Sequence, residues 1–160
     1  MENPWGNIWN ILGGINLVGN GESKGGIPYI CTDFNYSIEG GNNYKSVGFC
    51  VPSIYNWVSG FGYGNSDYDW VFMPAECSSV ANSALPIGDN FWSIANLNTT
   101  NLVAVGGTWV FKQSDGPFYY ACDKAINHYG PGFGVKLMYI PTKNDVYTSN
   151  YNKWLAKMGG

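Results

Sequence analysis

The pattern of apolar and polar positions predicts a short helix at the start of the chain. Pro4 suits the first position of a helix, and apolar side chains follow at helical spacing at Trp5, Ile8, Trp9 and Leu12. Gly13 and Gly14 come directly after this run and provide a stop signal. We therefore expect an amphipathic helix that ends at the glycine pair.

Alternating positions and short apolar runs predict strands in much of the remaining chain. Ile15 and Leu17 alternate before a glycine-rich turn, and the pattern resumes after it, which predicts a hairpin over 15–31. Further strands are expected at 47–51, 102–105, 108–111 and 134–140. Together these elements predict an α+β fold with one or two helices, short antiparallel strands and long loops.

The last nineteen residues differ from the chain before them. Residues 142–160 follow the last predicted strand and carry only a weak helical pattern. A chain of 160 residues fits one domain with its own core. We therefore predict a ligand-binding domain over 1–141 and a C-terminal extension over 142–160.

Composition narrows the range of partners. Aromatic residues reach 17% while charged residues make up only 12%, which disfavours disordered and coiled-coil proteins. The formal charge is -3 and the eight Lys and Arg residues are scattered, so no binding to nucleic acid is expected. The chain has neither an apolar window long enough to span a bilayer nor a signal-peptide pattern at its N-terminus. We expect a soluble domain cut from a longer chain, with no insertion into a membrane.

Catalytic and metal-binding patterns are weak. His128 is the only histidine, and no nucleophile-elbow motif accompanies it. The four cysteines form no Cys-x-x-Cys pair, which favours free thiols over a zinc site. We therefore predict no enzymatic activity, no cofactor and no metal.

Three carboxylates leave two alternatives open. Asp67, Asp69 and Glu76 could supply a pair for glycoside cleavage, and the two aspartates could contribute to a calcium site. Solvation and hydrogen bonding within turns account for them more simply. A polysaccharide-cleaving domain remains the enzymatic alternative.

The segment 106–139 combines two kinds of residue. Five positions look like scaffold that bends or anchors the backbone: Gly106, Gly107, Trp109, Gly116 and Gly134. The residues between them mix Tyr, Ser, Asp and Asn as binding loops do. The candidate ligand-binding residues are Val110, Phe111, Ser114, Asp115, Tyr119, Tyr120, Cys122, Asp123, Asn127, His128 and Tyr129.

The motifs in this segment carry a family resemblance. Gly-Gly-Thr-Trp at 106–109, Asp-Gly-Pro-Phe at 115–118 and Gly-Phe-Gly-Val-Lys-Leu at 132–137 resemble the variable region of proteins diversified by retroelements. These variable proteins are C-type-lectin-fold ligand binders, related in fold to formylglycine-generating enzymes. Two departures stand out: Lys136 replaces the usual Arg near the end of the motif, and residues 142–160 have no counterpart.

The resemblance implies a function and a location. It implies non-catalytic recognition of a bacterial cell-surface receptor, a protein or a glycan, by a C-type-lectin-like domain of a phage tail fibre. It also implies placement in the host-attachment apparatus of the virion tail, or other surface display, and a homotrimer. The resemblance also implies adenine-directed mutagenesis, which would leave Trp109 as scaffold. It would reach ten of the candidate residues: Val110, Phe111, Ser114, Tyr119, Tyr120, Cys122, Asp123, Asn127, His128 and Tyr129. A purely structural virion subunit, with its tyrosines packed against a neighbouring chain, is a further alternative.

Overall fold

The computed structural model describes residues 6–21, 24–33, 43–94, 98–111 and 115–134, together with Ala156. The strands in this part of the chain belong to one curled sheet that resembles half a barrel. They are β1 (Trp9–Val18), β2 (Lys24–Cys31), β3 (Tyr44–Ser46), β4 (Val51–Pro52), β5 (Tyr55–Tyr63), β6 (Phe72–Ser78), β7 (Asn90–Ser93), β8 (Thr100–Val105), β9 (Tyr120–Cys122) and β10 (Phe133–Gly134).

The sheet runs in the order β3-β2-β1-β8-β9-β7-β5-β6, with β4 paired to β2 and β10 paired to β1. Most neighbours are antiparallel, whereas β7 with β9 and β1 with β10 are parallel. The central strands β7, β8 and β9 are buried on both faces, and residues 102–105 of β8 and all three residues of β9 accordingly form continuous apolar runs. Packing on both faces therefore stabilises these three strands.

The inner face of the curl holds the larger core. Its buried side chains come from strands at both ends of the sheet as well as from its centre, so they fill the inside of the half-barrel. They are Leu17, Val51, Val58, Met73, Phe91, Val103, Tyr120 and Cys122. Alternation along β8 sends Val103 to this face and its neighbours Leu102 and Ala104 to the other.

A second core lies on the outer face of the same central strands. Trp9, Leu102, Ala104, Tyr119 and Ala121 form it, and the rings of Trp92, Phe111 and Phe133 pack against them. Several of these side chains belong to the segment after β8. Phe111 and Tyr119 come from the chain between β8 and β9, so the described part of this connection covers the outer face of the sheet.

The predicted N-terminal helix is wrong. Residues 9–18 form β1, which pairs with β2, β8 and β10, while Trp5 and Pro4 lie outside the described residues. Pairing with three strands satisfies the backbone of β1 and overrides its helical spacing. The glycine pair does not end a helix; it lies in a bulge, because five residue steps from Ile11 to Asn16 face two steps from Ala104 to Leu102.

Of the other predicted elements, some are confirmed and some are wrong. The hairpin of β1 and β2 and the strand over 102–105 are confirmed. The strand predicted at 108–111 is instead a turn, closed by the Phe111 amide donating to the Thr108 carbonyl at 3.1 Å. The nine-residue strand β5 was missed, and only the first residue of the strand predicted at 134–140 is described, within β10.

The predicted α+β, C-type-lectin-like fold is therefore corrected to an almost entirely β architecture. Residues 6–134, as far as they are described, contain no helix. The extension 142–160 lies outside the described residues except for Ala156. In the described part of the chain no helix has the length and apolar character needed to cross a bilayer.

Candidate recognition surface

The outer cover, by which we mean residues 106–111, 115–119 and 123–132, begins with two glycines that reverse the chain after β8. Gly106 and Gly107 have φ angles of 90° and 69°, in the left-handed region that favours glycine. The Gly106 amide donates to the carbonyl of Tyr119 at 3.0 Å, which ties the start of the cover to the residue before β9. This hydrogen bond therefore joins the two ends of the connection between β8 and β9.

The turn over 108–111 places two apolar side chains in solvent. The Val110 amide donates to Oγ1 of Thr108 at 3.4 Å, and the Trp109 amide donates to the carbonyl of Asn7 at 3.3 Å. The side chains of Trp109 and Val110 are 73% and 56% exposed, whereas Phe111 turns back into the outer core. The backbone of the turn is therefore held while its tip is displayed.

Aromatic rings hold the cover against the sheet. The ring of Tyr119 lies 4.7 Å from Trp9 and 5.8 Å from Phe111, in edge-to-face arrangements. Trp9 also stacks on Phe133 at 6.4 Å, and Trp92 meets Phe111 at 6.2 Å. Such pairs add specific geometry to the burial of large apolar surfaces. The cover is consequently packed on the sheet over a broad aromatic layer.

A second loop of the cover, over 125–130, forms a shallow hollow of about 480 Å³. Ala125, Asn127, His128 and Tyr129 line it. The His128 amide donates to the Ala125 carbonyl at 2.9 Å, and the imidazole lies edge-on to the ring of Phe133 at 5.0 Å. The side chain of Tyr129 is 91% exposed. This loop displays an aromatic and two polar side chains from a fixed backbone.

The two displayed loops flank the start of β1. The Trp9 amide donates to the Gly132 carbonyl at 2.8 Å, just as Trp109 bonds to Asn7 on the other side. A Cβ at Gly132 would lie 3.9 Å from the methyl group of Thr108, so the two loops are neighbours. The exposed side chains of both loops therefore lie at the same end of the sheet.

Two carboxylates, Asp115 in the cover and Asp89 directly before β7, interact electrostatically. Oδ2 of Asp89 accepts the Phe118 amide at 2.8 Å, and burial raises the pKa of Asp89 although this bond lowers it. Burial also raises the pKa of Asp115 to about 6; the Thr108 backbone amide opposes this shift and the nearby charge of Asp89 adds to it. Both carboxylate oxygens of Asp115 are shielded from solvent. Water therefore solvates the charges of Asp89 and Asp115 less well than it would at an exposed position.

The candidate ligand-binding residues divide into four groups. Val110, Asn127 and Tyr129 are exposed. Phe111, Asp115 and His128 are half-buried. Tyr119, Tyr120, Cys122 and Asp123 are buried. Ser114 lies outside the described residues.

The buried members of this set act within the fold. The Tyr120 hydroxyl donates to the Phe72 carbonyl at 3.4 Å, and burial raises its pKa to about 12. Burial likewise raises the pKa of the Cys122 thiol. Asp123 pairs with the ammonium of Lys124 at 2.6 Å, and that ammonium also lies 5.3 Å from the centre of the Trp92 ring. None of these four side chains reaches the surface.

The scaffold positions also have distinct surroundings. A Cβ at Gly116 would collide with the carboxylate of Asp89, and one at Gly134 would come within 2.5 Å of Ile8. Trp109 was expected to anchor a strand. Residues 108–111 instead form a turn that leaves its ring in solvent. Asp89 was not among the residues predicted from the sequence, although it directly precedes β7 and lies two positions before the aromatic pair at 91–92.

The carboxylates of the enzymatic alternative are all exposed. Asp67 and Asp69 lie in the loop between β5 and β6, and Glu76 lies on the edge strand β6. Within the described ranges no three His, Cys, Asp or Glu side chains come together as metal ligands do.

Comparison with protein families, with curated proteins and with solved structures gave no match for this chain.

Proposed function

We propose that this chain is a non-catalytic recognition domain that binds a bacterial cell-surface receptor, a protein or a glycan, through the exposed part of its outer cover. The recognition surface, as we call it, consists of exposed Trp109, Val110, Asn127 and Tyr129 together with half-buried His128. The resemblance of the 106–139 motifs to variable proteins of phage tails supports the class of partner.

The observation that carries the proposal is the exposure of Trp109 and Tyr129 on loops whose backbones are held. Their side chains are 73% and 91% exposed, while the rings of Phe111, Tyr119 and Phe133 below them are packed into the outer core. Trp and Tyr are enriched at the energetic centres of protein interfaces and lose little conformational entropy on binding. A fixed backbone lowers the cost of binding further.

Diversification by a retroelement is part of the proposal, in a narrower form than the sequence indicates. Substitutions at Val110, Asn127 and Tyr129 would alter the surface with little effect on packing. Substitutions at His128 would alter the surface and its contact with Phe133, whereas substitutions at Tyr119 or Cys122 would alter the core. We therefore expect any near-copy of this coding segment, beside a reverse transcriptase gene, to differ at adenines in the codons of the four surface residues. The same resemblance supports placement in a virion tail and assembly as a homotrimer, in which repeated surfaces would raise a weak affinity through avidity.

The test compares binding of matched variants to host cells. Trp109→Ala and Tyr129→Ala should each weaken binding at least about tenfold, the effect of losing about 1.4 kcal/mol. Trp70→Ala and Tyr63→Ala are the matched controls, because their side chains are 66% and 65% exposed outside the cover. The controls should bind as the parent does, and all four variants should keep its melting temperature.

Two outcomes would overturn the proposal. If Trp109→Ala and Tyr129→Ala both bound host cells as the parent does, the recognition surface would not take part in the interaction. Loss of oligomer assembly in place of binding would favour the structural-subunit alternative.

A further inference from the structure

A cavity of about 280 Å³ opens on the other side of β1, away from the recognition surface. It is lined by Leu12, Gly13, Gly14 and Ile15 of β1, Ile30 and Cys31 of β2, and Trp70 and Val71 of the loop between β5 and β6. Neither the resemblance nor the proposed function accounts for it.

The wall on β1 is the bulge opposite β8. Five residue steps from Ile11 to Asn16 face two steps on the partner strand, so the intervening residues leave the ladder. Gly14 adopts a φ of 81°, and the absence of side chains at 13 and 14 leaves the space that neighbouring residues would otherwise fill. Bulges of this kind occur preferentially next to functional sites, where they re-aim the chain.

The opposite wall is a loop with a well-bonded backbone. The Gly64 amide donates to the Val71 carbonyl at 2.9 Å, and the Asn65 amide donates to the Val47 carbonyl at 2.8 Å. Val71 is buried, whereas the side chain of Trp70 next to it is 66% exposed at the cavity mouth. A large aromatic side chain thus stands in solvent on a loop that is already fixed. The wall is preformed rather than assembled by an incoming ligand.

The chemistry of the lining selects among ligands. None of the lining residues is charged, and besides the indole N–H of Trp70 the lining has one polar side chain, Cys31, which is already engaged. Its thiol donates to the Asp33 carboxylate at 3.3 Å and accepts from the Asn43 amide at 3.3 Å. A sugar would find few partners for its hydroxyls, and an anion would lie beside the charge of Asp33. The lining therefore fits an uncharged, apolar ligand.

We propose that this cavity is a binding site for a single uncharged aromatic ring system of about the size of indole, held between Trp70 and the bulge of β1. The volume lies near the lower end of the range of small-molecule sites, about 300–1,000 Å³, so it admits one ring system and not an oligosaccharide. The site does not depend on the recognition surface.

The test uses 5-fluoroindole as the probe. Its ¹⁹F signal should broaden on titration with the protein, with a dissociation constant of about 1 mM or tighter. Trp70→Ala should weaken binding about tenfold, Trp70→Phe should retain most of it, and Trp109→Ala should leave it unchanged. Because Trp70 is exposed, the variant should fold, and its melting temperature checks this.

Alkylation of cysteines locates the bound probe. Occupancy should slow the reaction of iodoacetamide with Cys31, while Cys50, which is exposed, serves as an internal control whose rate does not change. The proposal is overturned if 5-fluoroindole does not bind, if Trp70→Ala binds it as the parent does, or if Cys31 is not protected. It is also overturned if methyl glucoside protects Cys31 in place of the aromatic probe. None of these results depends on binding to host cells, so this proposal and the proposed function fail separately.

Discussion

At the scale of the residue, the packing of Gly116 against Asp89 shows how little room the cover leaves. A Cβ at position 116 would overlap the carboxylate, and the same carboxylate accepts the Phe118 amide at 2.8 Å. Asp89 therefore holds the chain just before β9, and Gly116 permits the approach.

Gly116→Ala should lower the free energy of unfolding by about 1–3 kcal/mol, the usual cost of overpacking. Gly88→Ala is the matched control, because its Cβ would meet nothing within 4 Å, and it should change stability by less than about 0.5 kcal/mol. Denaturation in urea measures both. If the collision with Asp89 is the cause, the cost of Gly116→Ala should shrink in an Asp89→Ala background, and equal costs in the two backgrounds would contradict it.

At the scale of the element, the outer cover is attached through Tyr119. This side chain is fully buried between Trp9 and Phe111, directly before β9. β9 has three residues and is paired in parallel with β7, so its stability depends on the packing on both of its faces.

Tyr119→Ala should therefore lower the free energy of unfolding by about 3–5 kcal/mol, as loss of a buried aromatic ring does. Tyr129→Ala removes a tyrosine side chain that lies in solvent, so it should change the free energy of unfolding by less than about 0.5 kcal/mol. Chemical denaturation followed by near-UV circular dichroism distinguishes the two. A stable Tyr119→Ala protein that had lost only its binding to cells would place Tyr119 at the surface and contradict the packing described above.

At the scale of the whole molecule, the buried carboxylates make stability depend on pH. The pKa of Asp115 is raised to about 6 in the folded chain, above the value of 3.8 that it has when solvated. The folded state therefore binds more protons between these two values, and stability falls as pH rises from about 4 to about 6. The penalty is complete above pH 6 and absent below the unfolded pKa.

Asp115→Asn should raise the melting temperature at pH 7 by about 2–4 °C, the change that 1 kcal/mol produces in a chain of this size. We expect no more than this because the residue is only half-buried and solvent screens part of its charge. The difference from the parent should shrink as the pH is lowered towards 4. Asp67→Asn, at an exposed carboxylate, is the control. A constant difference across this pH range would show that the charge of Asp115 is not its source.

The sequence predicted the elements in which local pattern and tertiary environment agree. Strand β8 was found because an apolar run that ends in two glycines fits a strand buried on both faces, followed by a reversal. Strand β5 was missed because Gly60 and Gly62 interrupt its alternation, and its pairing with β6 is irregular beside Gly60. The segment at Trp9 has both helical and strand spacing, and only its three partner strands decide between them.

By itself, the sequence determined the reversal after β8, the hairpin of β1 and β2 and the mixture of aromatic and small polar side chains in the segment after residue 106. These follow from local conformational preference and composition. Only the tertiary structure decided that residues 9–18 are a strand, that Tyr119 and Cys122 lie in the cores and that Trp109 lies in solvent. The physical reason is that burial and strand pairing arise between residues far apart in the chain, and no local pattern records which face of an aromatic segment will be covered.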